Sequence, residues 1–463
     1  MQQIRTATRP ADRDVGGTTR RLASVAGSVP VLVGATLAGC ALGFASKAGC
    51  RAGIWNSQIG QFQAHCYTDL HQLYFADGLA AGQVAYLGHP VEYPVLTGGA
   101  MQLISWIVGT AGSAALRVRA FFDDTAIMLV LFAIAGVLAC AYLAGKSRRW
   151  TALLIALSPG LILSAFVNWD LIAMSLTALA MAAWAARRPG LAGLLFGLAI
   201  AAKFYPLLLL GPLCLLCVRA GRMREFWLTV SGACTSWLAV NAPIAIAADA
   251  GWSRFFSMSS TRGADYGSIW FLVEVEHVLG IQSLSVSTIN LASLGSFGAC
   301  CLLIGALIMA APGRPRVAQV FFLVLAAFLM CNKVWSPQYV IWLVPLAVLA
   351  RPRLWSLAIW QAAEVGYFFA IWAYLVALYG APGGLRNSLY FTAVLARFAS
   401  VLLLCVLVTR DILRPPADAE RAGGSEDDPA GGVLNGAPDR RTLRRRAAAP
   451  VPVRVPALEL RPG

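Results

Sequence analysis

Long apolar runs separated by short polar segments fill the chain from residue 22 to residue 409. A helix of about 20 apolar residues crosses the hydrocarbon core of a bilayer, and shorter runs point to a thinned or funnel-shaped region. The runs lie at 22–44, 124–145, 151–167, 171–186, 226–247, 289–311, 317–332, 339–350, 354–378 and 388–409. With a folded-back helix pair inside 191–218, they predict an all-α polytopic membrane protein with about twelve spans.

The folded-back pair follows from a conflict between length and flanking charge. Residues 191–218 begin and end at basic loops, yet about 28 residues are too few for two full spans. Two half-helices that turn at 203–206 remove the conflict, because broken backbone is tolerated at membrane depth where it lines a cavity. The sequence therefore predicts a helix break at this turn.

Composition supports the membrane class and changes how the charge is interpreted. Hydrophobic residues make up 58% of the 463 and charged residues 13%, with a mean hydropathy of +0.67. A soluble domain carries about a quarter charged residues. The net charge of +15 is concentrated in short loops and at the two ends. That distribution is the positive-inside pattern of membrane proteins, so nucleic-acid binding is not expected.

The apolar segment 95–108 decides the predicted topology. If it crossed the membrane, every later basic loop would lie outside. As a re-entrant or surface-lying helix it leaves five basic loops inside, namely 146–149, 187–188, 219–224, 314–316 and 351–353. The positive-inside rule favours this second arrangement. It gives outer loops at 45–123 and 249–288 and places both termini in the cytoplasm.

The two ends of the chain differ from the apolar part. Residues 1–21 are Arg-rich and predict a disordered inner-side leader, and the run that follows is interpreted as an uncleaved anchor. Residues 22–409 form the predicted transmembrane domain. Residues 410–463 are rich in Pro, Ala, Gly, Asp and Arg, so a disordered inner-side tail is expected. Its basic cluster at 440–446 either contacts anionic lipid headgroups or is simply solvated.

Twelve polar and aromatic residues near the predicted outer face are candidates for a functional site. They are Tyr67, Asp69, Glu92, Asn168, Trp169, Asp170, Lys203, Tyr205, Arg262, Lys333, Trp335 and Gln338. Lys203 and Lys333 break the positive-inside rule, and a cation in apolar surroundings is a functional candidate by default. Two lysines and an arginine suit a phosphate or pyrophosphate group, and the carboxylates suit a general base.

Simpler interpretations of these residues remain open. Lys203 and Lys333 could extend their charged ends to the outer headgroups. Asp170 could be a helix-starting carboxylate, which the helix dipole favours, and Asp69 could be an ordinary loop carboxylate. A further pair lies mid-span at similar depth: Glu364 and Arg397 are predicted to form a structural ion pair.

The cysteines give little indication of a metal or redox site. Most of the eleven lie in predicted spans, where a thiol packs as a small apolar group. Cys214 and Cys217 form a CxxC without a second pair or a nearby histidine, so a zinc site is not supported. Cys50 and Cys66 share the first outer loop, and a disulfide between them is left open.

Five short motifs occur in order at predicted outer-face positions: YTD at 67–69, VEYPVLTG at 91–98, NWDL at 168–171, KFYPL at 203–207 and SPQYVIWL at 336–343. Together they resemble the actinobacterial members of glycosyltransferase family 87, which belongs to the GT-C superfamily of integral membrane enzymes. The resemblance covers most of residues 22–409. It implies a GT-C type helix bundle with juxtamembrane helices in the first outer loop.

The resemblance also implies an activity. A sugar, with mannose favoured over arabinofuranose, would pass from a polyprenyl-phosphate donor to a cell-envelope glycan or glycolipid, with inversion, at the outer (periplasmic) face of the plasma membrane. Asp69 matches the position of the superfamily's catalytic base. Some GT-C relatives use a divalent metal with paired acids, but Leu70 follows Asp69 here. No cofactor is therefore expected, and a divalent metal is kept as the alternative.

Roles for the remaining candidates follow from this activity. The lipid phosphate would lie between Lys203, Lys333 and Arg262. Glu92 and Asp170 would orient hydroxyl groups, with Asn168, Tyr205 and Gln338 as further binding residues. Three aromatic residues would offer stacking surface to the sugars, namely Tyr67, Trp169 and Trp335.

Two other classes of protein share some of these features. A lipid-linked sugar flippase would also have many spans and buried charges, but it would be expected to show repeat symmetry and binding residues at the membrane midplane. A non-catalytic scaffold for envelope assembly would not need the carboxylates. Transfer of labelled sugar by the wild type and by Asp69→Asn distinguishes a transferase, a flippase and a scaffold.

Overall fold

The computed structural model describes residues 23–275, 284–421 and 428–443, and within these ranges it forms helices and no β-strand. The α-helices are α1 Val29–Ala45, α2 Ala48–Arg51, α3 Gln58–Gln63, α4 Asp69–Ala76, α5 Val95–Val108, α6 Ala114–Leu143, α7 Leu153–Ala156, α8 Pro159–Ser164, α9 Asp170–Ala185, α10 Pro189–Ala202, α11 Leu210–Ala220, α12 Met223–Ala247, α13 Asp249–Thr261, α14 Ile269–Val275, α15 Val286–Ala310, α16 Val317–Cys331, α17 Val340–Ala350, α18 Leu354–Leu378 and α19 Asn387–Leu413. The prediction of an all-α protein is confirmed.

Among the described helices, five are long and apolar enough to cross a membrane by length and composition, namely α6, α12, α15, α18 and α19. Each has 25 to 30 residues, which corresponds to roughly 37–45 Å at the rise of an α-helix. Further apolar helices of the described chain have 10–17 residues, and the predicted span 151–167 contains only the short α-helices α7 and α8. The membrane character is therefore supported, and the number of about twelve spans stays a prediction.

The shorter apolar helices form the centre of the bundle. All eleven residues of α17 are buried, and α9 packs against α6, α10 and α17 with nearly every side chain enclosed. By contrast, only 11% of an apolar 18-residue stretch of α12, and likewise of α15, is buried inside the protein. A helix that is apolar all round must be enclosed by protein or by lipid. Protein encloses α9 and α17, whereas α12 and α15 leave most of their apolar surface uncovered by the described part of the chain.

The segment 95–108, which was predicted not to cross the membrane, forms the single helix α5. Its 14 residues span roughly 21 Å, which is too short for a perpendicular span. Pro94 precedes the helix, and Gly109 ends it with a φ of 65°. One side packs on α6 and α10, and the other leaves Trp106 and Ile107 exposed.

The predicted helix break at 203–206 is present. Helix α10 ends at Ala202, Lys203 is extended, and a 3₁₀ turn at Tyr205–Leu209 leads into α11. Helices α10 and α12 pack closely because Gly193 lacks a side chain: a Cβ there would lie 2.1 Å from the Thr229 carbonyl oxygen.

The described part of the C-terminal segment (414–421 and 428–443) packs against the basic loops of the bundle. Arg316 pairs with Asp418 at 2.8 Å, and Arg219 pairs with Asp439 at 2.6 Å. The expectation of a disordered tail is corrected for these residues. Although the segment is poor in apolar groups, buried arginines of the bundle hold its acidic side chains in place. The leader 1–21 and residues 444–463 lie outside the described residues.

The predicted ion pair between Glu364 and Arg397 is formed. Arg397 Nε donates to Glu364 Oε2 at 2.9 Å, and both side chains are buried. Arg397 also donates to the carbonyl oxygens of Trp335 (2.7 Å) and Ser336 (3.2 Å). The pair therefore joins α18, α19 and the turn before α17.

Candidate functional site

A cavity of about 460 Å³ lies where the break after α10 meets the loops 45–113 and 262–268 and the turn before α17. This volume is in the range of small-molecule sites. Charged and aromatic side chains share its wall. The lining residues are Phe62, Tyr67, Asp69, Glu92, Tyr93, Lys203, Arg262, Asp265, Tyr266, Ser336, Pro337, Gln338, Tyr339, Tyr367, Ile371, Trp372, Leu375, Leu378 and Tyr379.

Asp69 is held at the first position of α4 by the residue before it. Thr68 caps the helix, since its hydroxyl oxygen accepts a hydrogen bond from the Leu70 amide at 3.2 Å. The same hydroxyl donates to the Phe166 carbonyl at 2.6 Å. The Asp69 amide donates to the Val167 carbonyl at 2.8 Å. Asp69 is therefore fixed against the turn that begins α9.

The carboxylate of Asp69 faces the cavity and is otherwise enclosed by protein. Asn168 Nδ2 donates to its Oδ2 at 2.7 Å, and the Tyr67 hydroxyl donates to it as well. Burial raises the pKa of Asp69 to about 6, against the opposing effects of these hydrogen bonds and of the Lys203 charge. A carboxylate with this pKa is ionised at neutral pH and is still a useful proton acceptor.

Lys203 and Asp170 form an ion pair at the edge of the cavity. Their Nζ and Oδ1 atoms are 3.0 Å apart, and the Trp342 indole donates to the same Oδ1 at 2.9 Å. Asp170 is fully buried at the start of α9, where the helix dipole favours an anion. It does not line the cavity. Lys203 does, and its Nζ lies 4.6 Å from the centre of the Tyr93 ring.

Arg262 and Asp265 line another part of the wall. The Asp265 amide donates to the Lys333 carbonyl at 2.8 Å, and the Ser336 hydroxyl lies 3.4 Å from Asp265 Oδ2. Burial raises the pKa of Asp265, and the nearby Arg262 charge opposes that change. Gln338 lies on the wall beside them.

Lys333 does not join Lys203, which corrects the prediction of two lysines around one phosphate. Its Nζ donates to the Arg262 carbonyl at 2.7 Å, to Asn290 Oδ1 at 2.5 Å and to the Ser260 carbonyl at 3.4 Å. An ammonium has three donors, and these acceptors use all of them. Lys333 is therefore a support for the segment that carries Arg262.

Three other candidates lie behind the cavity wall and not on it. Tyr205 stacks on Trp342 with ring centres 4.5 Å apart, and Trp169 packs against Tyr93 at 5.8 Å. Trp335 lies beneath the Arg397 guanidinium at 4.4 Å. The stacking surface expected from Trp169 and Trp335 is corrected: these rings are buried supports. Of the three predicted aromatic surfaces, Tyr67 alone lines the cavity.

Sequence reasoning missed the apolar and aromatic part of the wall. Much of it comes from one face of α18, on which Tyr367, Ile371, Trp372, Leu375 and Leu378 recur with helical spacing. In the sequence this face cannot be told apart from a face that contacts lipid. Near it the Cys50–Cys66 disulfide, which the sequence left open, is formed.

The cavity wall combines three carboxylates, a lysine, an arginine and aromatic surface. The carboxylates suit hydroxyl groups of a polar substrate, and the two cations suit an anionic group on it. Across 23–275, 284–421 and 428–443, no three His, Cys, Asp or Glu side chains are grouped as a metal site requires. No protein-family model matches the chain, and no curated protein matches it.

Proposed function

We propose that the protein transfers a sugar, with mannose favoured, from a polyprenyl-phosphate donor to a glycan or glycolipid acceptor of the cell envelope. The transfer occurs at the outer face of the plasma membrane and inverts the anomeric configuration. The observation that carries the proposal is the convergence of Asp69, Lys203 and Arg262 on one cavity with an apolar wall. The resemblance of five motifs to glycosyltransferase family 87 supplies the class of donor.

Asp69 is the proposed general base. It accepts the proton of the acceptor hydroxyl while a lone pair of that oxygen forms the new bond to the anomeric carbon. The bond from that carbon to the phosphate oxygen breaks on the opposite face, and its electron pair leaves with the phosphate. The proton then passes from Asp69 to water. Tyr67 and Asn168 hold the carboxylate in place through the hydrogen bonds described above.

Lys203 and Arg262 are the proposed ligands of the donor phosphate. The leaving group is already a stabilised anion, so a strong general acid is not needed. The cationic groups instead stabilise the charge that develops on the phosphate oxygens. Glu92 also lines the cavity and is placed to accept hydrogen bonds from sugar hydroxyls.

The α18 face gives the cavity an apolar and aromatic wall that extends from Ile371 and Leu375 to Leu378, which is 52% exposed at the rim. In the predicted topology Leu378 is the outer end of α18, so this face suits the sugar or the acceptor. The isoprenoid tail of the donor is placed against the short spans, within the membrane. Arabinofuranosyl transfer would use the same residues, so a panel of donor lipids is needed to identify the sugar.

Transfer from labelled polyprenyl-phosphate mannose in membranes tests the proposal. Asp69→Asn should lower the rate by about two to four orders of magnitude, the usual contribution of a general base. Asp249→Asn is a matched control, because Asp249 is also the first residue of a helix but is exposed. Unchanged transfer by Asp69→Asn would refute the base assignment. Movement of the lipid across the bilayer without transfer would favour a flippase instead.

A further inference from the structure

Lys47 is a buried cation that the proposed reaction leaves unused. It lies two residues after the end of α1, and its side chain is fully enclosed by protein. Its Nζ donates to the Tyr67 carbonyl at 2.8 Å and lies 5.8 Å from the centre of the Phe368 ring. Enclosing an ammonium in protein is unfavourable unless specific partners compensate. Its contacts therefore need an explanation.

These contacts join Lys47 to the segment that carries Asp69. The carbonyl that accepts its hydrogen bond belongs to Tyr67, and the Tyr67 hydroxyl donates to the Asp69 carboxylate. The Cys50–Cys66 disulfide connects the same two stretches of chain, since Cys50 follows Lys47 by three residues and Cys66 precedes Tyr67. A covalent link and a buried hydrogen bond thus fix one backbone position.

Lys47 also contributes charge. Burial lowers the pKa of Lys47 to about 7, and the Asp69 charge opposes that change. The interaction is reciprocal, so the ammonium favours the ionised form of Asp69. The larger effects on Asp69 come from burial, from the hydrogen bonds of Tyr67 and Asn168, and from the charges of Lys203 and Glu92. Because Lys203 is paired with Asp170 at 3.0 Å, part of its charge is already compensated.

We propose that Lys47 is a positioning residue for Asp69. Its side chain holds the Tyr67 carbonyl, and in its protonated form it supplies positive charge behind the carboxylate that faces the cavity. The role of Asp69 as base rests on the proposed function, whereas the coupling between Lys47 and Asp69 does not.

The test uses the full chain and follows the protonation of Asp69 directly. Infrared spectra of the protein in lipid are recorded across pH, and the carboxyl band that disappears in Asp69→Asn reports protonation of Asp69. In Lys47→Met the midpoint should move up by less than about one pH unit, the smallest effect of an opposite charge in direct contact, because Lys47 contacts Asp69 only through Tyr67. Lys47→Arg, which keeps the charge, should restore the midpoint. Lys146→Met removes an exposed lysine of a distant loop and should leave it unchanged.

The acid limb of the pH–rate profile for sugar transfer should move with the infrared midpoint. An unchanged midpoint in folded Lys47→Met would overturn the inference. If the midpoint moves but the wild-type protein transfers no sugar, the coupling stands and the proposed function fails. Should Lys47→Met not fold, Lys47→Gln serves in its place, since it can still donate to the Tyr67 carbonyl but carries no charge. A wild-type midpoint in that variant would equally overturn the inference.

Discussion

The ion pair between Lys203 and Asp170 allows two roles of Lys203 to be tested separately. One is its contribution to stability and the other is its proposed contribution to binding the donor phosphate. Lys203→Met removes the cation from a carboxylate that is fully buried and whose Oδ2 has no hydrogen-bond partner among the described residues. The remaining compensation is the Trp342 indole and the start of α9. Leaving a buried charge without its partner costs about 3–5 kcal/mol.

The single variant should therefore unfold at a temperature several degrees lower than the wild type. Lys203→Met combined with Asp170→Asn replaces the ion pair by neutral groups, so most of the lost stability should return. Transfer activity should not return, because the cavity still lacks the cation proposed to bind the donor phosphate. The double variant is thus expected to be stable and inactive.

Thermal unfolding in detergent and transfer from labelled donor measure the two effects on the same samples. Lys146→Met, which removes an exposed lysine, controls for the loss of a positive charge. A single variant as stable as the wild type would refute the structural role of the pair. A double variant with wild-type donor affinity would refute the role of Lys203 in binding phosphate.

Three further predictions concern other parts of the molecule. Because the pKa of Asp69 is raised to about 6 and the base must be ionised, kcat/KM should fall about tenfold per pH unit below that value, which a pH–rate profile measures. Glu364→Gln should abolish folding, and adding Arg397→Gln should restore it; absence of rescue in a folding assay would contradict the pairing. Asp418→Asn should destabilise the protein by about 3 kcal/mol in unfolding experiments, because it leaves Arg316 buried with a neutral partner.

Features set by local sequence could be predicted. The break at Lys203 follows from a segment too short for two spans, and helix α5 follows from one apolar run. The position of α5 relative to the membrane, which the charge rule predicts, stays a prediction. The pair of Glu364 and Arg397 follows from matching depth in two adjacent spans. Asp69 was placed by its position after the first span and lies in the cavity, although its role stays a prediction.

Features set by tertiary contacts could not be predicted. The acceptors of Lys333 are two backbone carbonyls and an asparagine from distant parts of the chain, and backbone carbonyls leave no signal in a sequence. The α18 face has the pattern of any apolar helix. Lys47 is different, since it also breaks the charge rule just after the first span. A cation that breaks the positive-inside rule is also what marks Lys203, so the sequence contains the signal for Lys47 as well.

The packing of the C-terminal segment has a consequence for the order of events during synthesis. In the predicted topology the arginines of the inner loops set the orientation of each span as it is inserted. Their acidic partners, such as Asp418 and Asp439, are translated last. The loops are therefore fully basic while orientation is decided and become partly neutralised only when the chain is finished. A chain that stops at residue 414 should accordingly insert with unchanged topology in a cysteine-accessibility assay, yet unfold more readily than the full chain.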